Sequence, residues 1–189
     1  MPKIYSEEER RKIVRSLKEE ADKLIVEKGV RKTTVDELVQ RAGIPKGTFY
    51  LFYPSKEMLI YDRAQDLHKL VDEYINTGLL KADISNVEEV TDVIMGAIDI
   101  TMDSCLKVLL EPESMNLVLR KIPDEVLRSH NGQKEDNELQ KLIDKKGLNL
   151  KGSFTMILLA CTFKQVIGKD NIRESTRFLV RGLVEQILR

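Results

Sequence analysis

The chain has 189 residues, with 31 lysines and arginines against 31 aspartates and glutamates; 42% of residues are hydrophobic and 33% charged. That apolar share supports a folded core and excludes a disordered chain, while zero net charge excludes a surface that is basic throughout, so any contact with nucleic acid must come from a local patch. No apolar run approaches the roughly 18 residues that span a bilayer, and the opening MPKIYSEEERRK lacks the apolar stretch of a secretion signal.

Apolar residues recur at spacings of three and four, with no convincing run of alternating strand residues, so the expected fold is all-α. Ser6-Glu7-Glu8-Glu9 reads as a capping box opening a first helix. Its stripe is Ile13, Val14, Leu17, Ala21, Leu24 and Ile25, and Lys28-Gly29 is its stop. Thr34-Val35-Asp36-Glu37 opens a second helix that Gly43 ends after about two turns. Pro45 starts a third, through Phe52, and Ser55 caps a long fourth beyond the Pro54-Ser55 break.

Past Gly78 the helices lengthen. Ser85-Asn86-Val87-Glu88 is expected to cap a helix running through Val90, Ile94, Ala97 and Ile98 to Leu109, and Pro112 and Pro123 punctuate two shorter pieces. Residues 129–141 are polar and read as an exposed loop. Two closing helices are expected over about 151–167 and 171–188.

The stretch from Thr34 to Lys56 carries the functional signal. Two short helices meet at Ala42-Gly43-Ile44, where Gly43 can take a left-handed conformation cheaply. This is a helix-turn-helix, whose second helix can enter a DNA major groove. From Leu38 to Lys56 there are three cations, Arg41, Lys46 and Lys56, and no acid. The first 63 residues hold 14 basic and 11 acidic side chains, the remainder 17 and 20. The positive excess thus lies where a phosphate backbone needs it. Lys46, Gly47, Thr48 and Tyr50 fall early in the third helix, where backbone approach and hydroxyl contacts to phosphate or base edges are expected. Thr34 and Lys56, at the starts of the flanking helices, can offer N–H groups or a cation to phosphates.

Residues 30–60, VRKTTVDELVQRAGIPKGTFYLFYPSKEMLI, resemble the TetR family of transcriptional regulators, with the Ala42-Gly43 turn, Lys46-Gly47-Thr48-Phe49-Tyr50 and Pro54-Ser55-Lys56-Glu57 in that family's order and spacing. The resemblance is sharp over about the first 60 residues and rests beyond them on length and helicity. It implies a three-helix DNA-binding domain over 1–54, followed over 55–189 by a helical bundle for ligand sensing and dimerisation. It carries Thr34, Lys46, Gly47, Thr48, Tyr50 and Lys56 over as DNA-contacting positions, with Phe49 and Tyr53 packing the helix. One departure is Leu51-Phe52-Tyr53, where many members have histidine or arginine followed by Tyr-Phe. It leaves the scaffold intact and makes the bases read less predictable.

A three-helix head reads only a few base pairs, so two copies are needed on one DNA, about 34 Å apart or a multiple of it. The closing stripes are the candidates for holding that spacing: Phe154, Ile157, Leu158, Cys161 and Gln165, then Ile172, Phe178, Leu179, Leu183, Ile187 and Leu188. In the family the last two helices pair with their mates, which implies a homodimer on a pseudo-palindromic operator. The family also implies an effector pocket in the middle helices, with Tyr74, Ile94, Ile98, Thr101, Met102, Cys105, Met115 and Met156 as candidate lining. Methionines suit adaptable pockets, and at helical spacing they are more often plain core.

Other chemistries lack support. His68 and His130 have no metal-ligand spacing around them, Asp99 and Asp103 read as a solvated face, and there is no phosphate loop or nucleophile elbow. Cys105 and Cys161 are too few for a disulfide scaffold and read as buried small hydrophobes in a reducing, cytoplasmic setting. The expectation is a DNA-binding regulator, a repressor released by an unidentified small molecule, with no enzymatic activity, cofactor, metal or membrane span. The alternatives are a DNA-organising protein on the same scaffold, or an all-α carrier or enzyme whose helix-turn-helix only packs.

Overall fold

Ser6 caps the first helix as its sequence requires. In the computed structural model, which describes residues 5–131 and 169–188, Ser6 Oγ accepts from the Glu9 N–H at 3.2 Å and Glu9 Oε2 accepts from the Ser6 N–H at 2.8 Å. Helix α1 (Glu7–Lys32) buries Leu17, Ala21, Leu24 and Ile25 completely. Lys28-Gly29 is a kink rather than an end. Gly29 leaves helical geometry at φ 79, ψ 167, and one further turn follows before the N–H and hydroxyl of Thr33 both bond the Gly29 carbonyl.

Helix α2 (Val35–Ala42) stops at Gly43, whose left-handed φ 67 and ψ 32 let the Ile44 N–H reach the Val39 carbonyl at 3.0 Å. A side chain there would be strained, so glycine sets the turn. Pro45, with φ −63, stands one residue ahead of α3 (Lys46–Phe52) rather than inside it. Leu38 of α2, Phe49 of α3 and Leu59 and Ile60 of α4 (Lys56–Lys81) meet the α1 stripe in a core with no solvent exposure. Charged pairs join α1 to α4: Lys18 lies 2.7 Å from both Asp62 and Asp66, and Arg63 clasps Asp22 with two nitrogens at 2.8–2.9 Å.

By contact, the residues up to Asp66 group with Ser104–Arg128 as one compact unit, and Leu67–Asp103 groups with the closing helix as another. In the first unit, α6 (Leu106–Leu109) and α7 (Pro112–Leu119) pack on α1, and Arg31 pairs with Glu113; α8 (Asp124–Asn131) follows Pro123.

The helix expected to run from 87 to 109 is broken. α5 (Val87–Asp103) ends at Asp103, and Cys105 starts α6. Its cap also shifts by one: Asn86 Oδ1, not Ser85, accepts from the N–H groups of Glu88 and Glu89, and Asn86 donates to Glu89.

In the second unit, α5 lies along α9 (Lys169–Leu188). The closing stripe read as one face divides in two. Ile172, Thr176, Val180, Val184 and Ile187 are buried, whereas Phe178 is 77% and Leu179 51% exposed. Beside the buried face, Arg173 pairs with Asp99, Arg177 with Asp92 and Glu88, and Arg181 with Glu88, all within 2.5–2.8 Å.

The fold is all-α, a helix-turn-helix head followed by a helical body, with no strand and no helix long and apolar enough to cross a membrane among the described residues. The first of the two expected closing helices, with Phe154, Met156, Ile157, Leu158, Cys161 and Gln165, lies outside the described residues, as does most of the polar stretch 129–141.

Candidate nucleic-acid interface

Helix α3 divides cleanly by burial. At about 100° per residue, Lys46, Tyr50, Gly47 and Leu51 occupy one continuous arc, and all four are exposed, Tyr50 to 52% and Leu51 to 58%. Thr48, Phe52 and Phe49 occupy the other. Phe49 is completely buried, with Tyr50 edge-on at 5.3 Å and Tyr53 at 6.1 Å between ring centroids. Nothing lies within 4 Å of where a Gly47 side chain would begin, so the backbone itself faces open space there.

Of the six residues assigned to DNA contact, Lys46, Gly47 and Tyr50 stand on this arc. Thr48 does not. It is 6% exposed, and its Oγ1 lies 2.9 Å from the Tyr5 hydroxyl, so it ties the amino-terminal arm to α3. Thr34 caps α2: its Oγ1 accepts from the Glu37 N–H at 3.3 Å and donates to Glu37 Oε2 at 2.7 Å. Lys56 is half-buried, and its ammonium donates to the carbonyls of Val30 at 2.9 Å, Thr33 at 2.5 Å and Arg31 at 3.4 Å. It closes the frayed end of α1 after the Gly29 kink. Thr34, Tyr50, Ser55 and Lys56 nonetheless line one shallow groove, into which the starts of α2 and α4 open. Thr34 and Ser55 already accept the N–H groups of Glu37 and Met58, which leaves the N–H groups just before those as the ones an anion could take.

The cations of the motif are less free than their spacing suggests. Arg41 makes a two-pronged pair with Glu27 of α1, at 2.7 and 2.9 Å, which holds the Glu27 carboxyl below its ordinary range. Lys28 pairs with Glu37. Lys46 meets Asp36 at 2.8 Å, and that pairing raises its pKa. Both partners of the Lys46 pair are well exposed, so it contributes little to stability and a phosphate can compete for it.

Residues 17–61 match the family described as "Bacterial regulatory proteins, tetR family". Over that stretch the helix-turn-helix head matches that family's amino-terminal segment. An uncharacterized HTH-type transcriptional regulator, YvdT of Bacillus subtilis, is 43% identical over 47 residues, a stretch that is 25% of this chain and 24% of the relative. The likeness to it therefore covers about a quarter of either chain. Among solved structures, the fatty acid degradation regulator FadR of Bacillus halodurans superposes with a TM-score of 0.64 at 17% identity, covering 96% of this chain and 97% of that one. FadR of Bacillus subtilis in complex with stearoyl-CoA gives 0.55 at 17%, covering 94% and 98%. At such identities these two show a shared fold across nearly the whole chain.

The residues assigned to an effector pocket scatter. Ile94, Ile98, Thr101 and Met102 are buried on α5, while Tyr74 is 42% exposed with its hydroxyl lying over Gly96. Cys105 and Met115 belong to the other unit, Cys105 buried and Met115 37% exposed; Met156 lies outside the described residues. Burial and the neighbouring Asp22 carboxylate push the Cys105 thiol well above its ordinary range, which keeps it protonated and inert. Among the described residues no three His, Cys, Asp or Glu side chains converge as metal ligands.

Sequence reading passed over Tyr5, Arg10 and Leu51. Leu51 entered only as a departure from the family pattern. Arg10 was given no role, yet its guanidinium lies 5.0 Å from the centroid of the Phe52 ring.

Proposed function

We propose that this TetR-type protein is a cytoplasmic, sequence-specific transcriptional regulator. Its head, over 1–54, inserts the arc Lys46-Gly47-Tyr50-Leu51 into the major groove, and its body, over 55–189, senses a ligand and dimerises. The exposed arc of α3 on a rigid, fully buried core carries this reading: a recognition helix must present side chains outward while the rest of it is anchored. Tyr50 can donate to a base edge or phosphate, and Leu51 can pack on a thymine methyl. Thr34, Lys56 and the helix starts around them would seat a phosphate beside that groove; Thr48 would support α3 from behind.

The exposed Phe178 and Leu179 on α9 support a homodimer through the closing helices, which a pseudo-palindromic operator requires. Effector control would act as a population shift towards a conformer whose two heads no longer match the duplex repeat of about 34 Å. Repression relieved by ligand is the output this proposes. Long-chain acyl-CoA thioesters are the first effectors to test, because a relative of the same fold was solved as a complex with stearoyl-CoA.

Selection from fragmented genomic DNA, followed by titration of the enriched duplex, tests the reading. The parent should prefer the enriched duplex over bulk DNA by at least about 10³. Tyr50→Ala should lose that preference by roughly 1–3 kcal/mol per affected base pair while keeping residual non-specific binding. No enrichment, together with no duplex affinity at low salt, would return the protein to the class of carriers or enzymes.

A further inference from the structure

The head's positive excess must act somewhere, and most of its cations near α3 are already engaged. Lys18 pairs with acids of α4, Lys28 with one of α2, Arg41 and Arg63 with acids of α1, and the Lys56 ammonium is bound to carbonyls. Arg10, Arg11 and Arg15 differ. All three are exposed on the first turns of α1, and none has an ion-pair partner among the described residues. They line one open groove with Phe52 of α3, whose walls hold five basic side chains and two acids. Arg11 and Arg15 follow each other about 6 Å apart along the helix axis.

This groove adjoins the exposed arc of α3. Around α3, Thr48 and Phe52 follow directly after Leu51. Thr48 bonds Tyr5, the Phe52 ring lies tilted against Tyr5 at 6.2 Å, and the Arg10 guanidinium lies over the Phe52 ring. The amino-terminal turns of α1 therefore border the Gly47–Leu51 edge, as Asp36 of α2 borders the Lys46 edge.

We propose that Arg10, Arg11 and Arg15 form a phosphate track on α1 that holds a sugar–phosphate strand of the duplex whose groove α3 enters. This rests on the regulator reading above and adds a second grip to it. The chemistry is that of phosphate diesters: planar guanidinium forks match phosphate oxygens two at a time, and Arg10 is held in place by the ring beneath it. Of the two acids in the groove, Asp66 is taken up by Lys18, which leaves Glu19 alone against three arginines.

Sheared genomic DNA of mixed sequence is the probe, since its binding reports phosphate contacts without base preference. The parent's affinity is measured against salt from about 50 to 200 mM, beside the Arg10→Gln/Arg11→Gln/Arg15→Gln variant. Each lost phosphate contact removes about 0.9 from the slope of log affinity against log salt, so the triple variant should lose roughly two to three for each head engaged, and about five where both heads of a dimer bind. The matching Arg→Lys triple should keep the slope, and a charge-matched control, Arg120→Gln/Lys121→Gln/Arg128→Gln, should leave it unchanged. A glutamine triple with the parent's slope, or a control that falls equally, overturns the track while leaving the regulator reading intact. A parent that binds no duplex at about 50 mM salt overturns both.

A second measurement needs no variant. Bound DNA should protect Arg10, Arg11 and Arg15 of the parent from phenylglyoxal, read by mass spectrometry, while Arg120 and Arg128 stay reactive; equal reactivity with and without DNA overturns the track.

Discussion

Lys46 and Lys56 have the same charge and flank the same helix, and the structure separates them by what their ammonium groups touch. Lys46 meets one exposed carboxylate, whereas Lys56 caps carbonyls at the end of α1. Substituting them should therefore give opposite signatures. Lys56→Met leaves the Val30 and Thr33 carbonyls short of a donor; a charged hydrogen bond contributes about 1.5–3 kcal/mol, discounted here because the side chain is only half-buried. A loss of about 1–2 kcal/mol, or a fall of a few degrees in Tm, is expected. Lys46→Ala should leave Tm within about 0.5 kcal/mol of the parent and weaken DNA binding across all sequences. Thermal melts of both variants check the assignment, and a Lys56→Met protein as stable as the parent would show that the carbonyl clasp contributes nothing. Sequence spacing placed both lysines beside α3, but it could not tell them apart, because the carbonyls that engage Lys56 belong to the end of α1, more than twenty residues away in sequence. Thr48 carries the same lesson: a hydroxyl early in a recognition helix reads as a contact until the arc is divided by burial and Tyr5 is found against it.

At the scale of elements, the capping boxes, the Gly43 turn and the proline breaks were legible because each is local: a few neighbouring residues decide it. The end of α5 at Asp103 was not, since the pattern continues apolar to Leu109 and the break depends on α6 packing against α1. The pairing of α5 with α9 was equally hidden, because Glu88 and Arg181 stand 93 residues apart. That pairing has a pH signature. Arg181 and Arg177 hold the Glu88 carboxyl below its ordinary value of 4.5. A carboxyl depressed in the folded state contributes stability that is fully present above about pH 4.5 and is lost as the pH falls through the folded value. Acidification below that point should loosen α9 from α5, seen as faster amide exchange along α9. Glu88→Gln should start from weaker protection at neutral pH and lose less of it in acid. Because these groups are exposed, about 1 M salt should shrink the difference between the two proteins. Identical acid profiles for parent and variant would mean that the arginine ladder only decorates the surface.

For the whole molecule, the question is what covers the outer face of α9. Phe178 is 77% exposed and Leu179 51%, with open space at Gly182 one turn further on. An aromatic ring next to a bare backbone on one helix face is self-complementary about a two-fold axis, since each ring can settle against the other chain's glycine. Burying a phenylalanine contributes about 1.5–3 kcal/mol, and symmetry counts it twice, so Phe178→Asp should raise the dimer dissociation constant by roughly 10²–10⁴. The side chain touches little within its own chain, so the variant should keep the parent's helicity while sedimenting as a monomer. Its affinity for an enriched duplex should fall far more than its affinity for bulk DNA, because one head still meets phosphates but two heads no longer share a frame. A Phe178→Asp protein that stays dimeric would move the interface away from this face, and one that becomes monomeric yet binds the enriched duplex as tightly would remove the need for two-fold reading altogether.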